Sequence, residues 1–239
     1  MSIMDIRAAL ERNDIPFQEE LPEKLQIYLE LLEQWNSRMD LTAVTDKKET
    51  IDKHFIDSLA ILKTGIISSG AEVIDVGTGA GFPGMVLAMA RPDIHVTLLD
   101  SQQKRLAFLE HIAEAASVCN TVTVHARAED GGRMPAMREK FDYATARALA
   151  PLNVLCEYLL PYVKTDGYAL CWKGPALTDE MENGKKAANM LGGKIETPII
   201  STVDGRDWKH LILPVKKIRP TPALYPRKAG TPKSKPLGI

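Results

Sequence analysis

Between positions 21 and 39, Leu21, Leu25, Tyr28, Leu32, Trp35 and Met39 recur at spacings of four and three. This places them on one face of a helix and predicts that face as buried. Over 48–63, Ile51, Phe55, Leu59 and Leu62 draw a second apolar stripe, and His54, Asp57 and Ser58 meet at its rim by the i, i+3, i+4 rule. Such a trio lines a cleft or merely edges a solvated helix face, and the pattern alone leaves both open. Residues 1–64 therefore read as a helical extension. From Glu72 the apolar runs shorten, and strands are predicted over 73–76, 95–99, 121–125, 141–146, 167–173, 195–201 and 210–216. Helices are predicted over 82–91, from a Ser101 cap to about 116, over 150–161 and over 177–191. Strands alternating with helices imply an α/β fold, a mostly parallel sheet of seven strands covered on both faces. The last two strands lack a helix between them, so they pair antiparallel. Five prolines after Ile218 (Pro220, Pro222, Pro226, Pro232 and Pro236) predict an extended, partly mobile tail without regular structure. The expected division is 1–64, 65–218 and 219–239.

Composition changes this picture little: 45% apolar and 26% charged residues suit a globular chain, and 239 residues suit one large domain with an appendage. Charge changes it more. After Asp207 the chain carries eight cationic residues (Lys209, Lys216, Lys217, Arg219, Arg227, Lys228, Lys233 and Lys235) and no acid, while the preceding part is net −9. A basic end on an acidic body suits a polyanionic partner such as RNA, or serves solubility. Three cysteines, Cys119, Cys156 and Cys171, form neither a disulfide framework nor a CxxC knuckle, as expected in a reducing cytoplasm. The charged N-terminus and the lack of a long apolar run predict neither a signal peptide nor a membrane span.

The chemistry concentrates in Asp75-Val-Gly-Thr-Gly-Ala-Gly-Phe-Pro-Gly84. Gly77, Gly79 and Gly81 follow a strand and precede a helix, so the backbone turns tightly against a ligand that a Cβ would exclude. Gly79-x-Gly81-x-x-Gly84, with Asp100 some twenty residues on as the ribose-binding carboxylate, also satisfies a dinucleotide fingerprint. Three features favour S-adenosylmethionine over NAD. Asp75 at the strand end would repel a pyrophosphate but can face a cationic methionine moiety. The chain has one such unit behind helices, and it ends in a helix-free strand pair.

Further motifs are Trp35-Asn36, Leu41-Thr42-Ala43-Val44-Thr45-Asp46, Lys53-His54-Phe55-Ile56-Asp57-Ser58, Leu98-Leu99-Asp100-Ser101, Arg127-Ala128-Glu129, Ala146-Arg147-Ala148, Trp172-Lys173-Gly174 and Tyr225-Pro226-Arg227-Lys228-x-Gly230-Thr231-Pro232. With the glycine loop they resemble the small-subunit ribosomal RNA guanine-N7 methyltransferases across essentially the whole chain; Asp40 departs from the family's usual Asn. The resemblance implies a Rossmann-like class I methyltransferase fold, S-adenosylmethionine as donor, and one guanine in a decoding-region loop of 16S rRNA as acceptor, naked or within the small subunit. It also implies cofactor contacts from Gly77, Phe82, Ala128, Glu129 and Arg147, to which Gly79 and Asp100 are added by position. No membrane partner is expected, and a monomer is.

Guanine N7 carries an in-plane lone pair and no proton, so its methylation requires no general base. The chain has neither an Asn/Asp-Pro-Pro-Tyr motif for exocyclic amines nor a Pro-Cys motif for pyrimidine carbons, and Cys156 and Cys171 are expected in the core. Orientation alone contributes up to roughly 7 to 11 kcal/mol to such a step. Arg147, Lys173 and His54 are the candidates for placing the base, with Asp57 and Ser58 beside them. An Arg fork on O6 and N7 would block the attacked atom, so Lys173 is the better O6 or phosphate ligand. Arg219, Arg227, Lys228 and Lys233 are the expected RNA phosphate contacts. No metal-ligand spacing is present. A methyltransferase of another RNA position or of protein, and a non-catalytic S-adenosylmethionine-binding assembly factor, remain as alternatives.

Overall fold

The computed structural model describes residues 2–208 and 210–239, so the predicted cation Lys209 lies outside the described residues. Eight strands, β1 (Glu72–Val76), β2 (His95–Asp100), β3 (Thr121–His125), β4 (Phe141–Arg147), β5 (Val163–Lys173), β6 (Gly193–Ile195), β7 (Ile199–Ser201) and β8 (His210–Lys217), form one sheet. Its order is β3-β2-β1-β4-β5-β8-β6, with β7 also paired to β8. The first five strands run parallel, and β8 enters antiparallel beside β5 and pairs antiparallel with β6 and β7. This is the expected Rossmann-like sheet with one difference: the strand predicted over 195–201 is broken into β6 and β7. Pro198, which lacks an N–H for the ladder, lies in the break.

Ten helical segments surround the sheet: α1 (Ile3–Arg12), α2 (Leu21–Met39), α3 (Lys47–Thr50), α4 (Asp57–Leu59), α5 (Gly84–Ala90), α6 (Gln103–Ala115), α7 (Ala128–Gly131), α8 (Leu152–Leu159), α9 (Leu177–Met190) and α10 (Thr231–Ser234). A π-helical turn, Ile51–Ile56, joins α3 to α4. The strand residues alternate between two cores. Val73, Val96, Leu98, Tyr143, Leu170, Trp172 and Ile212 face the N-terminal helices with α5 and α6, whereas Ile74, Val76, Leu99, Ala144, Ala146, Cys171 and Leu213 face α8 and α9. Cys156 and Cys171 are buried core residues, as expected, and Cys119 is exposed. The stripe predicted on α2 packs into the first core through Leu21, Leu25, Tyr28, Leu32 and Trp35. Helix α2 ends at Asp40, whose φ of 47° is left-handed. Asn and Asp are the side chains that best tolerate that conformation, which accounts for Asp standing where the related family has Asn. Ser101 does not cap α6; the helix begins at Gln103 after Gln102.

The tail differs from the mobile strand of prolines the sequence predicts. Tyr225, Pro232 and Leu237 are buried. Arg133 donates to Pro226 O at 2.7 Å, and Arg138 donates to Tyr225 O and Thr221 O, each at 2.7 Å. Proline-rich backbone has few N–H groups to satisfy, and here the arginines of the body take up its carbonyls. Glu157, fully buried on α8, accepts a fork from Arg227 at 2.6 and 2.9 Å. Buried Lys217 closes the root of the tail with Leu160 O, Val163 O, Thr221 Oγ1 and Glu139; burial lowers its pKa to about 8 against the pull of Glu139.

Arg227→Ala strands the Glu157 carboxylate in the core, and removing one partner of a buried pair costs about 3 kcal/mol. Denaturant unfolding should show a loss of that order, and an unmoved midpoint would mean that tail docking adds nothing to the fold.

Candidate active site

Because β1 is flanked by β2 on one side and β4 on the other, the chain's winding reverses there and opens a crevice at the carboxyl ends of these strands. The glycine loop leaves β1 into this crevice. Asp75 organises it from within: Oδ2 accepts from Thr78 Oγ1 at 2.7 Å and Gly84 N at 3.0 Å, and Oδ1 from Thr145 Oγ1 at 2.7 Å. Fully buried, its carboxyl is pushed up by desolvation against these hydrogen bonds. Asp75 therefore braces the loop and does not face a ligand, contrary to the expectation that it meets a cationic methionine moiety. The glycines also divide. A Cβ on Gly81 would strike Tyr28 and Leu109, and one on Gly84 would strike Asp75, so these two serve packing. Gly77 lies under Leu149, 2.7 Å from where a Cβ would sit. Gly79, at φ 58°, has only Gly77 O within 3.9 Å of its Cβ position and so faces open space. Asp100 ends β2 beside it, accepting from Gly79 N and Gln102 N at 2.9 Å each. This open backbone turn beside an acidic strand end fits the adenosyl and amino-acid portions of S-adenosylmethionine.

Arg147 ends β4 next to the loop, and its guanidinium is the junction of the site. It donates to Lys53 O at 2.9 Å and to His54 Nδ1 at 3.1 Å, and lies 3.5 Å from Asp57 Oδ2. Its carbon stands 4.9 Å over the Phe82 ring. Phe82 is stacked against His54 at 4.6 Å and against Tyr28 at 5.5 Å, so the glycine loop, α2 and the π-helical turn share one aromatic wedge. The π-helical turn presents His54 and α4 begins with Asp57, so the two meet on this wall at an irregularity that recurs at functional sites. His54 Nε2 meets Thr42 Oγ1 at 2.8 Å. Thr42 is fixed by Asn36, which accepts from Thr42 N at 2.8 Å and donates to Thr42 O at 2.9 Å. Since Arg147 can only donate, Nδ1 accepts and the proton resides on Nε2. Burial and the Arg147 charge push the His54 pKa down to about 3, so the ring is neutral. Asp57 Oδ1 accepts from Ser201 Oγ at 2.9 Å and pairs with His210 Nδ1 at 3.1 Å. Burial raises its carboxyl, but His210 and Arg147 outweigh it and hold the group below the ordinary Asp value.

A cavity of about 300 Å³ opens beside this junction, lined by His54, Asp57, Arg147, Trp172, Lys173 and Glu180 among others. The structure thus brings together His54, Asp57, Arg147 and Lys173, as the sequence predicts. Ser58 does not join them: it is buried, and its Oγ donates to His54 O within its own helical turn. Sequence reasoning missed Trp172 as a wall whose Nε1 donates to Asp57 O at 3.1 Å, and missed Ser201, His210 and Glu180 altogether. These arrive from β5, the β7–β8 pair and α9; Trp172 stands in the Trp172-Lys173-Gly174 motif without an assigned role, and no local motif marks the other three. Gly77, Gly79, Phe82 and Asp100 form the loop side of the crevice. Ala128 and Glu129 start α7 beyond β3, where Ala128 O accepts from Tyr162 and buried Glu129 accepts from Gly230 N at 2.7 Å. Of the predicted RNA contacts, Arg219 is tied to Asn189 and Arg227 to Glu157, whereas Lys228 and Lys233 are exposed. Among the described residues no His, Cys, Asp and Glu group could hold a metal, and no helix is long and apolar enough to cross a membrane.

Residues 21–206 match the family model described as GidB, rRNA small subunit methyltransferase G. A ribosomal RNA small subunit methyltransferase G of Clostridium perfringens is 42% identical over 232 residues, 97% of each chain. Another, of Alkaliphilus oremlandii, is 46% identical over 210 residues, 88% of each. Among solved structures, YcgJ of Bacillus subtilis matches with a TM-score of 0.52 at 14% identity, covering 70% of this chain and all of that one. The 16S rRNA (adenine(1408)-N(1))-methyltransferase of Catenulisporales acidiphilia matches with a TM-score of 0.52 at 15% identity, over 66% of this chain and 90% of that one. These last two are likenesses of fold.

His54, neutral in the folded chain down to about pH 3, takes a proton near pH 6.5 when unfolded. Its stabilising contribution is complete above pH 6.5 and is lost as the pH falls towards 3. Between pH 6 and 4 the wild type should therefore lose stability faster than His54→Gln, by up to about 1.4 kcal/mol per pH unit. Denaturant midpoints across that window measure the difference, and parallel curves would refute a neutral buried ring.

Proposed function

The chain belongs to the rRNA small subunit methyltransferase G family and is an S-adenosylmethionine-dependent methyltransferase of rRNA; from that premise we propose that its acceptor is N7 of one guanine in a decoding-region loop of 16S rRNA. The observation that carries this reading is the state of the two bases beside Arg147, His54 and Asp57. His54 Nδ1 is committed to Arg147, and the Asp57 oxygens are committed to Ser201, His210 and Arg147. Neither His54 nor Asp57 is thus a free proton acceptor beside Arg147, which suits an atom that offers a lone pair and has no proton to lose. When bound, S-adenosylmethionine supplies an electrophilic methyl group. Gly77, Gly79, Phe82 and Asp100 hold it on the loop side, and Ala128 and Glu129 flank its adenine.

Arg147 fixes the partition between the cofactor crevice and the acceptor cavity, and Lys173 reaches guanine O6 from the far wall. Asp57 and His54 keep Arg147 in place, and Trp172 excludes water. With attack geometry set by these rigid strand ends, catalysis is orientation and desolvation. Exposed Lys228 and Lys233, together with Arg219 at the tail's root, contact RNA phosphates, and Arg227 holds the tail that carries them. The substrate is 16S rRNA, naked or within the small subunit, and the enzyme works as a monomer in the cytoplasm.

Replacing the target guanine by 7-deazaguanine should abolish methylation and leave RNA binding intact, and the single-turnover rate should be flat from about pH 6 to 9 because no proton is abstracted. Arg147→Ala and Lys173→Ala should lower that rate by roughly a hundredfold, the scale of a misplaced reacting group. Methylation of the 7-deaza substrate would rule out N7. Lys228→Gln with Lys233→Gln should flatten the slope of log affinity against log salt by roughly 0.7 to 0.9 for each phosphate that the two lysines neutralise. An unchanged slope would leave them without an RNA role.

A further inference from the structure

Two groups on the far wall of the cavity stand as a pair. Lys173 Nζ lies 2.5 Å from Glu180 Oε2 and donates to Ala150 O at 3.2 Å, which leaves one of its three N–H donors. Glu180 Oε2 also accepts from Leu152 N at 2.6 Å, and Oε1 has no hydrogen-bond partner among the described residues. Both side chains line the cavity, 10% and 22% exposed. The pair therefore offers the cavity one remaining N–H on Nζ and one unengaged carboxylate oxygen, Oε1. The Watson–Crick edge of guanine is complementary: O6 accepts, and N1–H and N2–H are adjacent donors that can converge on one carboxylate oxygen.

We propose that Glu180, acting with Lys173, determines specificity by reading the Watson–Crick edge of the acceptor guanine. The inference rests on the N7 reading and deepens it: held by this edge, the base leaves N7 unobstructed, which an Arg fork on O6 and N7 would not. Adenine would set its N6 amino group against the ammonium and its N1 lone pair against the carboxylate. A site built to pair charged groups with a substrate edge strongly rejects the base that leaves them unpaired. Such reading requires an unpaired base, as in an RNA loop or a flipped nucleotide.

Glu180 also holds the first amide of α8, so the test must separate a structural role from a reading one. The substrates are 16S rRNA, naked or reconstituted into small subunits, ligated to carry guanine, inosine or 7-deazaguanine at the target. Inosine lacks only the N2 amino group. Wild-type enzyme should show kcat/KM roughly ten- to a hundredfold lower on inosine, the cost of one hydrogen bond to a charged group. Glu180→Gln should lose activity on guanine by a similar factor, and its guanine-to-inosine ratio should fall towards one. Wild type treating the two bases alike would overturn the proposal without any variant. So would a Glu180→Gln enzyme that is less stable to heat yet keeps the wild-type ratio, because that pattern belongs to the α8 contact alone. Methylation of 7-deazaguanine would sink the N7 reading by itself, while the guanine-to-inosine ratio still reports on Glu180.

Discussion

The guanidinium of Arg147 is the constraint on which the rest depends. It is a charge held nearly out of water at the end of β4, and such a charge is tolerated only where it is fully partnered. Its partners come from the helical extension: the carbonyl of Lys53, the imidazole of His54 and the carboxylate of Asp57. The N-terminal helices are thereby bound to the sheet at the crevice itself and not only through their apolar faces. The stack of His54, Phe82 and Tyr28 carries the same constraint into the glycine loop.

That dependence explains what the sequence could disclose. Strands β1 to β5 were legible because their apolar runs are short and bounded, and the glycine loop because no other residue takes the left-handed turns at Gly77 and Gly79 so readily. The rim of His54 and Asp57 was legible from helical spacing, although His54 lies in a π-helical turn and Asp57 opens α4. Ser58 was misread because it is buried and its hydroxyl turns back on the chain to donate to His54 O, which spacing alone does not reveal. His210 and Ser201 were illegible because their partner Asp57 is about 150 residues away, and long-range pairing leaves no local period. Glu180 pairs with Lys173 across the β5–α9 turn, where no motif marks it. Asp75 shows the converse, an acidic residue rightly singled out but assigned the wrong direction, because sequence does not reveal that Thr78, Thr145 and Gly84 consume its oxygens.

The tail was read from composition, and composition misled on order. Prolines and lysines in a free peptide give a solvated, extended chain. Here the body supplies Glu157, Arg133 and Arg138 at positions that satisfy the tail's own charge and carbonyls. The docked tail also reaches Glu129 through Gly230 N, next to the turn assigned to adenine. A segment that exposes Lys228 and Lys233 is therefore seated on Glu129 at the start of α7.

Charge balance ties these pieces to the proposed chemistry. N7 methylation turns a neutral base into a cation with no proton to discard, and the new charge appears in a cavity lined by Lys53, Arg147 and Lys173. Asp57 and Glu180 offset these cations, but both are already engaged by Arg147, His210 and Lys173. Their attraction for a further positive charge is largely spent within the protein. The neutral guanine is thus accepted where its cationic product is less welcome, since like charges repel more strongly in a partly desolvated site than in water. A cavity walled by charges already paired with one another can bind its substrate by shape and edge and still release the methylated base.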